Sequence, residues 1–210
     1  MLATILCAWF GIFCIESPVG PTGPPKFDTP ELRPSTSIAA PELDTPELDV
    51  MSFYSFLCER QPPDDLKNYY HFAAKNNVGG LDECTLANQG FHESGFDIHA
   101  VSPADAKGVC QFLDSVAEEY GIDQFDPEEC IFAQAQYMVW AIDRWTPGLG
   151  GRTYADLVKL ALATYNWGLG NMYASQREHG WVTYAELEPF LPEETRNYVR
   201  RILGPEWWED

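Results

Sequence analysis

Hydrophobic positions recur at three- and four-residue spacing through most of this chain, the pattern of helices that each bury one face. Ile131, Ala135, Met138, Ile142 and Trp145 make one such stripe. It follows Asp126-Pro127-Glu128-Glu129, which supplies an N-cap, a proline at the first helical position and a glutamate at the third. Gly148, Gly150 and Gly151 break that helix. Thr153 then caps a mostly apolar helix through Leu157, Leu160, Ala161 and Thr164 to Asn166, ending at Gly168. A helix so apolar belongs at the centre of a domain. Upstream, Asp64 or Asp65 caps a helix to about Lys75, with Leu66, Tyr69, Tyr70 and Ala73 on one side. The turn Asn76-Asn77-Val78-Gly79-Gly80 stops it, and the next helix runs from near Asp82 to His92, closed by Gly95. Gly90 within it costs roughly 1 kcal/mol relative to Ala, which close packing would explain. Ser102-Pro103 opens a short helical turn, Tyr120-Gly121 ends a helix, and a last helix follows Pro192 and stops at Gly204. No run alternates as a strand would. The pattern predicts a mainly α domain with loops long enough to build a cleft.

The first fifty residues read differently. Residues 2–15 are an apolar run without a charge, too short for an ordinary membrane span and suited to a signal-peptide core. The usual basic start is missing, since the first basic residue is Lys26, and Cys7 and Cys14 lack the small preceding residues of a lipoprotein processing site. The segment is expected to be an uncleaved anchor or an atypical export signal. Residues 17–50 hold eight of the sixteen prolines, a density that disfavours helix and predicts an extended tether. Asp-Thr-Pro-Glu-Leu occurs there twice, at 28–32 and 44–48. Three parts are therefore expected: an apolar segment over 1–16, a proline-rich acidic linker over 17–50, and a catalytic domain over 51–210.

Composition narrows the function. At 210 residues and 45% hydrophobic the chain can bury a substantial core. The net charge of −19 argues against nucleic acid, whose phosphates demand a basic surface, and against adsorption to anionic lipid. No Cys-x-x-Cys or paired-His spacing supports a metal site, and no cofactor is expected.

The chemistry concentrates at Glu93-Ser94-Gly95-Phe96. A Glu ending an apolar helical stretch can be partly desolvated at the edge of a cleft, which disfavours its charge and keeps it an acid near neutral pH. Cleaving a glycosidic bond needs such a donor, together with something to stabilise charge at the anomeric carbon.

Four segments in order resemble the soluble lytic transglycosylase domain family, which cleaves peptidoglycan glycan strands and has a lysozyme-like fold. Glu93-Ser94-Gly95-Phe96-Asp97-Ile98-His99-Ala100-Val101-Ser102 is similar to its first motif, and Ala106-Lys107-Gly108-Val109-Cys110-Gln111 to its second. Ala163-Thr164-Tyr165-Asn166-Trp167-Gly168 resembles its third, and Glu194-Thr195 with Tyr198-Val199 its fourth. The likeness spans roughly 65–203. It implies that Glu93 protonates the oxygen between N-acetylmuramic acid and N-acetylglucosamine. Glu93 then takes a proton from the muramic 6-hydroxyl, which closes on C1 to a 1,6-anhydro end. The substrate's acetamido group removes the need for a second protein carboxylate.

By the same resemblance Ser94, Gln111, Tyr165, Asn166 and Glu194 are substrate-binding candidates. Each has a plainer role open to it: Ser94 in securing its turn, Gln111 and Asn166 in capping, Tyr165 in the core, Glu194 in the first turn of its helix. Asp97 matches a turn residue and His92 a structural one. The chain departs from the family at Asp105, usually small, at Cys110, usually Met, and at Phe112-Leu113-Asp114. Cys58, Cys84, Cys110 and Cys130 are either disulfide-bonded or buried thiols. Trp207-Trp208 packs on the domain or offers sugars a stacking platform.

Peptidoglycan is the expected partner, with membrane association through residues 2–15 and protein partners in an envelope or virion as further expectations. The setting is the cell envelope or periplasm, or a phage particle. Two rival readings stay open: a lysozyme-type muramidase using water, and a noncatalytic wall-binding or virion component.

Overall fold

The structure, a computed structural model, describes residues 60–77, 80–146 and 151–208. The expectations for 1–16 and 17–50, and for Cys58, fall outside these residues. The described part holds eight α-helices: α1 (Asp64–Asn76), α2 (Glu83–Ser94), α3 (Asp114–Tyr120), α4 (Pro127–Trp145), α5 (Tyr154–Trp167), α6 (Leu169–His179), α7 (Tyr184–Leu187) and α8 (Glu193–Ile202). Two short 3-10 turns, Glu188–Phe190 and Pro205–Trp208, complete it. Among the described residues there is no strand, only the isolated bridges Val101 to Lys107 and Lys107 to Phe112.

The apolar helix α5 lies at the centre as its composition demands, packing against α4, α6, α7 and α8. Leu160 to Ala163 are all fully buried. Burying every face removes far more apolar surface from water than a single stripe can, and this burial is the main stabilising term. Thr153 caps α5 in a reciprocal box with Asp156. Asp126 caps α4 by accepting from the amides of Glu128 and Glu129, while the Glu129 carboxylate turns away to the Asp123 amide at 2.8 Å.

Three local details go beyond or depart from the pattern. Helix α1 starts at Asp64 after Pro63 with no side-chain cap; Asp64 and Asp65 add favourable charge to its first turn, and Asp64 also pairs with Lys67. Ser102-Pro103 opens a single turn closed by the Asp105 amide on the Ser102 carbonyl, and no helix follows. The region 169–187, where the hydrophobic pattern predicts no helix, holds α6 and α7.

Helices α1, α2 and α8 set the position of the candidate site. Gly90 lets α1 and α2 meet, since a Cβ there would overlap the Tyr70 hydroxyl. Helix α2 packs in turn on α8, where the Asn88 amide donates to the Ile202 carbonyl at 3.2 Å. A loop over 95–113 folds back beside the end of α2. One disulfide, Cys110–Cys130, ties it to α4. Cys84 is disulfide-bonded as well, to a partner outside the described residues. This resolves the choice between bridges and buried thiols for Cys84, Cys110 and Cys130, and it accounts for cysteine at a position where the family usually has Met.

Candidate active site

Glu93 occupies the last turn of α2, where Gly95, left-handed at φ 67°, stops the helix. Its side chain is only 7% exposed. Burial pushes its carboxyl from 4.5 up to about 8, and the neighbouring Glu194 charge adds to the rise. A hydrogen bond from the Tyr198 phenol to Oε1 opposes the shift without cancelling it. Desolvation wins because one hydrogen bond replaces only part of a carboxylate's hydration. The group is therefore a neutral acid at pH 7. Its other oxygen, Oε2, makes no hydrogen bond among the described residues.

Behind the acid stands a short relay of hydrogen bonds. The Gln89 amide, one helical turn before Glu93, donates to the Tyr198 hydroxyl at 3.2 Å. Tyr198 is buried, and desolvation together with the Glu93 charge pushes its phenol well above its ordinary range. It therefore stays a donor. Glu194 lies one turn before Tyr198 on α8, so helical spacing turns both toward α2. Burial raises the Glu194 carboxyl also.

The loop over 95–113 forms the next wall. Ser94 Oγ lies 3.1 Å from the Val109 carbonyl and 3.3 Å from the Gly90 carbonyl, so its single proton ties helix and loop. Gly108 sits at φ 72°, and a Cβ there would overlap the Gln124 carbonyl oxygen. Gln111 is left-handed at φ 51°, a conformation costly for a non-glycine residue. Its Nε2 donates to the Gly108 carbonyl at 2.9 Å, and its Oε1 is buried without a hydrogen-bond partner among the described residues. The Tyr165 hydroxyl donates to the Cys110 carbonyl at 2.7 Å. Burial first, then the Glu93 charge, drive its phenol well above its ordinary range. Asn166 accepts from the Thr195 hydroxyl at 2.8 Å, joining α5 to the first turn of α8.

The six residues singled out by sequence thus fall into two groups. Glu93 and Glu194 bear directly on one another through charge. Ser94, Gln111, Tyr165 and Asn166 hold the walls through hydrogen bonds, Gln111 retaining one unsatisfied acceptor. Asp97 accepts from the His99 amide at 2.8 Å, a turn role as its position suggests. Tyr198 belongs to the fourth motif, but its sequence position alone assigns it no task. The four-residue step from Glu194, matching that from Gln89 to Glu93, was the available signal. Asp105 is left-handed at φ 64° and lies 3.4 Å from Lys107, a local turn role for this departure from the family. Among the described residues, no three His, Cys, Asp or Glu side chains gather where they could hold a metal ion.

The family described as Transglycosylase SLT domain matches residues 72–187. The chain belongs to this family. The match covers the acid on α2, the loop over 95–113 and the whole of α5, and it stops before Glu194 and Tyr198 on α8. The SLT domain is also similar to longer proteins. Membrane-bound lytic murein transglycosylase F of Maricaulis maris is 35% identical over 115 residues, covering 50% of this chain and 25% of the relative. The protein of the same name from Pasteurella multocida is 33% identical over 100 residues, covering 47% and 20%. Membrane-bound lytic murein transglycosylase F 1 of Alkalilimnicola ehrlichii is 31% identical over 131 residues, covering 61% and 26%. The chain thus spans about a quarter of the length of the relatives it matches. No helix among the described residues is long and apolar enough to cross a membrane.

Proposed function

We propose that this SLT domain is a peptidoglycan lytic transglycosylase. The observation that carries the reading is the carboxyl of Glu93, held neutral up to about pH 8 beside an acidic neighbour and a phenol. Oε2 of Glu93 gives its proton to the glycosidic oxygen between N-acetylmuramic acid and N-acetylglucosamine as the bond from that oxygen to C1 breaks. The resulting carboxylate, steadied by the Tyr198 hydrogen bond, takes the proton of the muramic 6-hydroxyl while that oxygen bonds to C1. Glu93 ends the cycle protonated, and no water is consumed. One group serves both steps because giving up its proton makes it the base.

The other residues hold substrate in this reading. The free Oε1 of Gln111 accepts from a sugar hydroxyl or acetamido N–H, and the partly exposed Glu194 faces positive charge developing at C1. Ser94, Tyr165 and Asn166 fix the loop and helix ends that shape the subsites. The relatives named membrane-bound lytic murein transglycosylases support the same substrate and a site of work in the cell envelope. Residues 51–210 form the catalytic unit, and residues 1–50 lead into it and carry any membrane or particle attachment.

The test is mass spectrometry of peptidoglycan digested with the purified chain. Anhydro-muramic ends are expected, each lighter by one water than the hydrolysed product. Hydrolysed ends would replace the reading with a muramidase. Equal clearing of a peptidoglycan gel by the parent and Glu93→Gln would remove Glu93 as the acid.

A further inference from the structure

A pocket of about 330 Å³ opens between His92 near the end of α2 and the C-terminal end of α8, lined by Arg60, His92, Arg200, Arg201, Gly204 and Trp208 among others. Glu93 is not among its lining residues, although His92 directly precedes it on α2. Arg201 follows Glu194 by seven residues, so it lies two turns further along the same face of α8, roughly 10 Å away. The pocket therefore extends the α2–α8 seam away from the acid.

Its charge is out of keeping with the rest of the molecule. The chain carries 32 acidic against 13 basic residues, yet three arginines converge here. Arg60 lies over the Phe91 ring at 4.7 Å, which orients its guanidinium without neutralising it. Arg200 pairs with Glu188 at 2.6 Å and lies 5.7 Å over Trp208. Arg60 and Arg201 are exposed and have no carboxylate partner among the described residues. Two guanidinium groups without a carboxylate partner among the described residues, at a pocket with an aromatic wall, suit a planar anion on a short organic arm. A guanidinium fork binds a carboxylate in two parallel hydrogen bonds.

We propose that this pocket binds a free carboxylate of the peptide arm that peptidoglycan carries on its muramic residues. The inference rests on the function proposed above. The sugar backbone of that polymer is uncharged, and its negative groups are the carboxylates of the peptides. Those peptides hang from the lactyl ether of the muramic ring, the ring whose C1 would lie at Glu93. An arm leaving that ring has to cross only the two helical turns between Glu194 and Arg201. The arginines then select strands that bear peptides over bare ones.

The test is calorimetric binding of a soluble muramoyl peptide to the full chain. This probe contains no bond that the enzyme would cleave. A second probe has its arm carboxylates converted to amides. The parent is expected to bind the carboxylate form at least ten-fold tighter than the amide. Arg201→Gln, and more so the Arg60→Gln/Arg201→Gln pair, loses that margin, and Arg201→Lys keeps part of it. Circular dichroism confirms that the variants fold, and Trp208→Phe serves as a second probe of the same pocket. Equal binding of both probes by the parent, or unchanged preference in a folded pair variant, overturns the proposal. Tighter binding of inorganic phosphate than of the carboxylate probe also overturns it. Arginine-dependent binding without any strand cleavage would instead fault the transglycosylase reading and leave the carboxylate site standing. Cleavage without carboxylate preference would fault this inference alone.

Discussion

Tyr198 donates its phenolic hydrogen to Glu93, joining the last turn of α2 to the middle of α8 across 105 residues of sequence. The bond favours the charged carboxylate, yet burial overrides it and Glu93 titrates at about 8. Activity that needs the protonated acid should therefore hold to near pH 8 and fall above it. A rate profile of kcat/KM against pH measures this directly; a limb near the ordinary carboxylate range would contradict the assignment.

Tyr198→Phe removes the one contact that lowers the Glu93 pKa. The alkaline limb should move upward, and activity near neutral pH should fall about ten-fold because the carboxylate formed in the first step loses its hydrogen bond. The shift in the limb separates this effect from simple loss of packing, which would lower the rate without moving the profile.

Glu93→Gln is expected to abolish the proposed cleavage and to change stability with a definite sign. The folded chain binds this proton more tightly than the unfolded chain, so the parent loses stability as pH rises from 4.5 through about 8. The variant escapes that loss. Relative to the parent it should gain on the order of 3 kcal/mol at pH 9. The gain should vanish below the ordinary carboxylate value, and thermal melts at several pH values check it.

Gly90→Ala tests the close approach of α1 and α2. Ala is the better helix former by about 1 kcal/mol, yet its methyl would collide with the Tyr70 hydroxyl. A net loss of about 1–3 kcal/mol is expected from the overpacking. Tyr70→Phe in the same chain should recover much of it in denaturant melts.

The Cys110–Cys130 bridge closes a loop across 20 residues and holds the backbone whose carbonyl receives Tyr165. Replacing both cysteines by serine should cost about 3 kcal/mol by the chain-entropy argument. The same change should reduce activity through Gln111, the next residue. Melting temperature and zymogram clearing are the two measurements.

Much of this arrangement was legible in advance because it is local. The α4 and α5 boundaries follow from Asp126-Pro127 and Thr153, whose caps act within three residues. Glu93 stood out because Gly95 ends its helix two positions later. Helix α6 was not legible, since it buries only Met172 and Ser175 and presents no apolar stripe. The Gln111 conformation was hidden as well: a positive φ is readable at glycine, whereas here the Gly108 carbonyl and the loop around it impose it. Tyr198 lacked a visible partner because its partner is a whole domain away in sequence. Only the repeated four-residue step hinted that two helices face each other.

That separation has a consequence for biosynthesis. A ribosome finishes the stretch bearing Glu93 long before it reaches α8, so an unfinished polypeptide has the glutamate without the phenol that steadies it. The proposed acid is therefore complete only once α8 has been made and packed against α2, and a protease that removes α8 would take the phenol away again.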